Sequence, residues 1–135
     1  RTFRHDIIDY KHLIEFYQCD GMIIGEGLNF RQQLSHLREI LQMMGGSSDV
    51  RFKPCYYPFT EPSVEGYVKH PKLGWIEVLG AGMFRPEVCK ALGLGKARVL
   101  AWATGLDRLF QIKYGVEDIR MLYSEDLGCL RGAVI

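Results

Sequence analysis

Polar and apolar residues alternate from Leu13 to Ile24, with Phe16, Gln18 and Asp20 on one side and Tyr17, Cys19 and Gly21 on the other. Period-two alternation marks an extended strand with two distinct faces. One of those faces is polar here, so the strand is expected to turn it towards something other than an oil core. Arg1 to Arg4 is expected to pair with it antiparallel across the polar loop Asp6 to Lys11. From Asn29 the period becomes helical: Phe30, Leu34, Leu37, Leu41 and Met44 form one stripe, and Arg31, Arg38 and Glu39 lie off it. Asn29 is a good N-cap, Gln32 sits at the capping-box position, and Gly45-Gly46 stops the helix. This predicts an amphipathic helix lying across a sheet.

Further strands are expected at Val50 to Lys53, Ser63 to Val68 and Trp75 to Leu79, with His70 to Gly74 as the turn between the last two. Pro86 suits the first turn of a short helix reaching Leu92. Val99 to Ala103 reads as an apolar strand running directly into a helical segment, Gly105 to Ile112. Strands in series with few helical crossovers imply an α+β fold, an antiparallel β-sheet flanked by helices.

A chain of 135 residues fits one domain, residues 1–135, with a real core. Apolar content of 47% with 24% charged residues is ordinary for a soluble protein. No apolar run approaches the roughly 18 residues of a membrane span, and no signal peptide is visible, so the expected compartment is the cytoplasm. The formal charge of +1 argues against a module that grips nucleic acid by bulk electrostatics. Cys19, Cys55, Cys89 and Cys129 are scattered without a C-x-x-C pair, which fits neither a zinc site nor a disulfide framework, and all four are expected to be buried thiols.

Three stretches carry the chemistry. The first is Phe3-Arg4-His5-Asp6 and, after a loop, His12-Leu13-Ile14-Glu15-Phe16-Tyr17-Gln18-Cys19-Asp20-Gly21. The second is Arg51-Phe52-Lys53-Pro54-Cys55-Tyr56-Tyr57-Pro58-Phe59-Thr60-Glu61-Pro62-Ser63, followed by Trp75-Ile76-Glu77 and Gly80-Ala81-Gly82-Met83-Phe84-Arg85-Pro86. The third is Ala101-Trp102-Ala103-Thr104-Gly105-Leu106-Asp107-Arg108-Leu109, with Lys113 to Arg120 behind it. In this order they resemble the catalytic core of class II aminoacyl-tRNA synthetases. Within that class they are most similar to the α-subunit family of phenylalanyl-tRNA synthetases of archaeal and eukaryotic type. The first stretch resembles motif 2 and the third motif 3, whose strand-turn-helix pattern ends in G-x-x-R.

The resemblance implies an ATP- and Mg²⁺-dependent ligase that activates phenylalanine and esterifies it to tRNA(Phe), working with a β subunit. Arginine suits phosphate because its planar fork stays protonated. Arg4 is expected at the α-phosphate and Arg108 on the γ-phosphate side, with Asp6 and His12 also on ATP. Phe16 matches the aromatic that stacks on adenine, with Arg108 on the opposite face. Glu61 and Glu77 match the metal-holding carboxylates. Gln18 and Asp20 match the grip on the α-ammonium group, Tyr57 and Phe59 the paired aromatics of the side-chain pocket, and Ala101 its floor. Gly80 and Gly82 are expected to let backbone approach a ligand or form a bulge.

Asp6, Asp20 and Asp107 stand where the family usually has Glu, and Ala103 replaces a common glycine. The chain starts at motif 2, without the motif 1 helix and strand. It is therefore expected to be either a piece of a longer α subunit, inactive in isolation, or a reduced, non-catalytic paralogue that binds an amino acid or a protein partner.

Overall fold

The computed structural model describes residues 1–132. Strands β1 (Thr2–Phe3) and β2 (Glu15–Phe16) pair antiparallel, Thr2 opposite Phe16, as a small ribbon. The chain continues through β3 (Gln18–Gly25), α1 (Phe30–Gly45), β4 (Val50–Tyr57), β5 (Thr60–His70), β6 (Gly74–Phe84) and α2 (Pro86–Ala91). It then forms β7 (Arg98–Gly105), α3 (Leu106–Lys113), a 3-10 turn at Ile119–Tyr123 and α4 (Leu127–Gly132). Strands β3 to β7 form a five-stranded sheet in the order β3-β7-β6-β5-β4, with every pairing antiparallel.

Helix α1 begins where its capping box sits: the Gln32 N–H donates to Asn29 Oδ1 at 3.0 Å and the Asn29 N–H donates to Gln32 Oε1 at 2.9 Å. It ends at Gly46, whose φ of 64° is open to glycine at little cost. Helices α1 and α3 cover one face of the sheet. There Leu37 and Leu41 of α1 and Leu109 and Ile112 of α3 bury against Val50, Val64, Val68, Ile76 and Leu79. Burying such side chains, at about 1.5–3 kcal/mol each, holds the helices to that face. The opposite face is left for the site.

The expected unbroken strand Leu13 to Ile24 is instead interrupted at Tyr17. The Tyr17 N–H donates to Asp107 Oδ2 at 2.8 Å, and its carbonyl accepts the Leu106 N–H at 2.9 Å, so both backbone groups serve the start of α3 rather than a neighbouring strand. Strands β4, β5 and β6 run past their expected ends. Pro54 is tolerated in β4 because β4 is an edge strand, where a missing N–H costs no ladder bond. Of the cysteines only Cys89 is buried; Cys19 is exposed on edge strand β3, and Cys55 and Cys129 are partly exposed. The scattering of thiols excluded a cluster but said nothing about which strands would be edges. No described helix is long and apolar enough to cross a membrane.

Candidate active site

The floor of the site is made of residues with almost no side chain. In the β6–β7 ladder Gly80 lies opposite Ala103 and Gly82 opposite Ala101. Across β7, Asp20 faces Ala103 and Met22 faces Ala101, so β3 supplies one wall. Above this floor is a hollow of about 1030 Å³. Sites of roughly 300–1,000 Å³ hold drug-sized ligands, so this one has room for a nucleotide together with a small second ligand.

Arg4, Asp6, His12, Phe16, Gln18, Asp20, Tyr57, Phe59, Glu77, Ala101 and Arg108 all line that hollow. They come from the β1–β2 ribbon and its loop, β3, the β4–β5 turn, β6, β7 and α3, which only this topology brings together. The Arg4 guanidinium lies 5.0 Å from the centroid of the Phe16 ring, and Arg4 Nη2 donates to Gln18 Oε1 at 3.4 Å. Gln18 Nε2 in turn donates to Asp20 Oδ1 at 2.7 Å. The cation against Phe16 is therefore Arg4. Arg108 instead donates through Nη1 to the Glu77 carbonyl at 2.8 Å and lies 4.0 Å from the Glu77 carboxylate.

The loop carrying Asp6 and His12 is tied down twice. The Tyr10 carbonyl accepts the Ile119 N–H at 3.1 Å and Gln111 Nε2 at 3.3 Å, while Asp9 Oδ1 meets His12 Nδ1 at 2.9 Å. The Lys11 N–H, then the His12 ring, hold the Asp9 carboxyl below its ordinary range. At the other wall the Tyr57 and Phe59 rings stack at 6.0 Å and 12°. Burial pushes the Tyr57 hydroxyl well above the usual phenol range.

Gly80 and Gly82 do admit a close approach, but by this chain's own residues. A Cβ at Gly80 would meet the Tyr57 hydroxyl at 2.5 Å, and one at Gly82 would meet Thr60 Cβ at 2.6 Å and the Pro62 carbonyl at 2.7 Å. Both glycines let the β4–β5 hairpin settle onto β6, which fixes the aromatic wall.

Residues 1–133 match the family described as tRNA synthetases class II core domain (F). The chain belongs to this family. It is 52% identical over 131 residues to a phenylalanine–tRNA ligase alpha subunit of Pyrobaculum aerophilum, covering 97% of this chain and 27% of the relative. Alpha subunits of the same name from Thermococcus onnurineus, 52% identical over 133 residues (98% and 26%), and Methanocaldococcus jannaschii, 50% identical over 131 residues (97% and 27%), are similarly close. The chain thus spans about a quarter of the length of these curated relatives. A crystal structure of pyrrolysyl-tRNA synthetase from Desulfitobacterium hafniense superposes with a TM-score of 0.64 at 15% identity, covering 93% of this chain and 43% of that one, which shows the shared fold.

In this class II core the two carboxylates expected to hold metal are apart. Glu61 is absent from the hollow and lies 3.3 Å from Arg85 Nη2 at the far end of β5. Tyr67, not Glu61, stands opposite Glu77. The offset along β5 from Glu61 to Tyr67 is roughly 20 Å at about 3.3 Å per residue. Glu61 and Glu77 therefore cannot share one ion, because neighbouring strands do not make neighbouring residues. Glu65 also lines the hollow, and it accepts the Tyr67 hydroxyl at 2.7 Å. That bond, more than burial, pushes the Tyr67 hydroxyl up to about 12. Glu65 was findable: Ser63, Glu65 and Tyr67 share one face by alternation.

Among the described residues no group of three His, Cys, Asp or Glu side chains gathers to hold a metal. Mg²⁺, however, commonly takes one or two carboxylates and completes its shell with water and substrate phosphate. Glu77, half-exposed beside Arg108, fits an ion that arrives on phosphate oxygens.

Proposed function

We propose that this chain forms the adenylation site of a phenylalanine–tRNA ligase, within a protein that joins phenylalanine to tRNA(Phe) with a β-subunit partner and works in the cytoplasm. The observation that carries this reading is the convergence of Arg4, Phe16 and Arg108 on one hollow that Gln18, Asp20 and the Tyr57–Phe59 pair also line.

These two sets of side chains suit two substrates. The Gln18 carbonyl oxygen and the Asp20 carboxylate accept hydrogen bonds and favour an ammonium group. The stacked Tyr57 and Phe59 rings over a floor that carries only the Ala101 methyl suit a flat apolar side chain. Adenine lies on Phe16 once the Arg4 guanidinium swings off that ring to the α-phosphate oxygens, and Arg108 turns from Glu77 to close over the base. Asp6 and His12, on the tethered loop, orient the nucleotide. A phenylalanine carboxylate oxygen then attacks the α-phosphorus; the new O–P bond forms as the bond to the bridging oxygen breaks, and pyrophosphate leaves. No proton needs to be removed from the carboxylate, so positioning and charge stabilisation carry the step. Mg²⁺, when bound at Glu77, supplies charge neutralisation to the phosphate oxygens.

Phenylalanine-dependent exchange of labelled pyrophosphate into ATP, measured on the full-length protein with its partner chain, tests the reading. Exchange is expected, and Arg108→Ala should lower its rate about 10²–10³-fold. Phenylalanine binding without exchange would instead identify a non-catalytic paralogue.

A further inference from the structure

Helix α1 places one polar residue on its buried stripe. Gln33 follows Phe30 by one turn and precedes Leu37 by another, and only 1% of it is exposed. An apolar residue there would join the core at no hydrogen-bonding cost, whereas a buried amide must find partners. Gln33 finds two for its nitrogen: Nε2 donates to the Gly82 carbonyl at 3.0 Å and to the Ala101 carbonyl at 2.9 Å. Its Oε1 is buried without a partner among the described residues. Only this amide orientation works, because a flipped Gln33 would turn its oxygen to both carbonyls. The side chain thereby ties one rung of the β6–β7 ladder to α1.

That rung is the floor of the hollow. Gly82 has no side chain and Ala101 only a methyl, so the height of the floor is set by backbone and not by side-chain bulk. Gly82 is confined on its β5 side by Thr60 and Pro62. Ala101 lies between Gly82 and Met22 in the sheet, and Gln33 links its carbonyl to that of Gly82 from the helix side.

We infer that Gln33 is a positioning residue for amino-acid selection: by pinning the Gly82–Ala101 rung from behind the sheet it fixes the depth of the side-chain pocket, and so the discrimination between phenylalanine and para-substituted analogues. This rests on the ligase reading above. Gln33 touches no substrate. It limits how far the floor can drop to admit an extra atom at the end of the ring, a difference of the size that separates ligands by one small group.

The test uses the full-length protein with its partner chain, as wild type, Gln33→Met and Gln33→Leu. Pyrophosphate exchange is measured with phenylalanine and with para-chlorophenylalanine, alongside KM for ATP and thermal unfolding. Both variants should lose about tenfold of their preference for phenylalanine over the chloro analogue while KM for ATP stays within about twofold. A lowered melting temperature with unchanged preference would overturn the inference, since a purely structural glutamine does that. Failure of both variants to fold would overturn it too, by making Gln33 a folding residue. Wild type without exchange would sink the ligase reading; wild-type exchange with preference retained in both variants would sink this inference alone.

Discussion

Asp107 shows how much one carboxylate can decide. It is buried at the first turn of α3, accepts the Tyr17 N–H, and by that bond ends β2 and starts β3. The shorter Asp, where the family pattern has Glu, meets a backbone donor directly. Asp107→Ala should leave the Tyr17 N–H without this acceptor and cost about 1–3 kcal/mol, read as a lower urea midpoint with unchanged slope. Tyr67 gives a pH signature at the same scale. Its phenol is raised to about 12 by the bond to Glu65, so the native state keeps a proton that the unfolded chain releases near its ordinary value of about 10. That stabilisation is complete below the unfolded value and is lost as pH rises towards the folded one. Stability should therefore fall between about pH 10 and 12, and Tyr67→Phe should fall less steeply there.

Elements were legible where one local signal sufficed. The capping box of α1, the glycine stop at Gly46, Pro86 at the start of α2 and the alternation of β3 each rest on neighbours within a few residues, and the structure keeps them all. The misjudged ends depend on distant partners. The break at Tyr17 needs Asp107, ninety residues away, and the extension of β4 past Pro54 needs β4 to be an edge. The glycines of β6, expected to let backbone approach a ligand or to form a bulge, admit Tyr57 and Thr60. Gly82→Ala tests that account: the new methyl would press on the Pro62 backbone, which cannot swing aside as a side chain could. It should destabilise by about 1–3 kcal/mol and disturb the aromatic wall, visible as a raised KM for phenylalanine with less change for ATP.

Across the whole molecule the sheet divides the work. Its apolar face holds α1 and α3, and its other face, floored by Gly80, Gly82, Ala101 and Ala103, stays open to a hollow. The motifs name most of the residues that meet there, but a motif does not carry register: it sets Glu61 beside Glu77 and leaves out Glu65 and Gln33. The central claim is that the nucleotide end and the amino-acid end belong to one continuous hollow. A crystal structure of the full-length protein with a non-hydrolysable phenylalanyl-adenylate analogue tests it most directly. The adenine should stack on Phe16 with Arg4 at the phosphate mimic, the ammonium should meet Gln18 and Asp20, and the phenyl ring should lie between Tyr57–Phe59 and Ala101. An analogue bound outside this hollow, or reversed within it, would contradict the account.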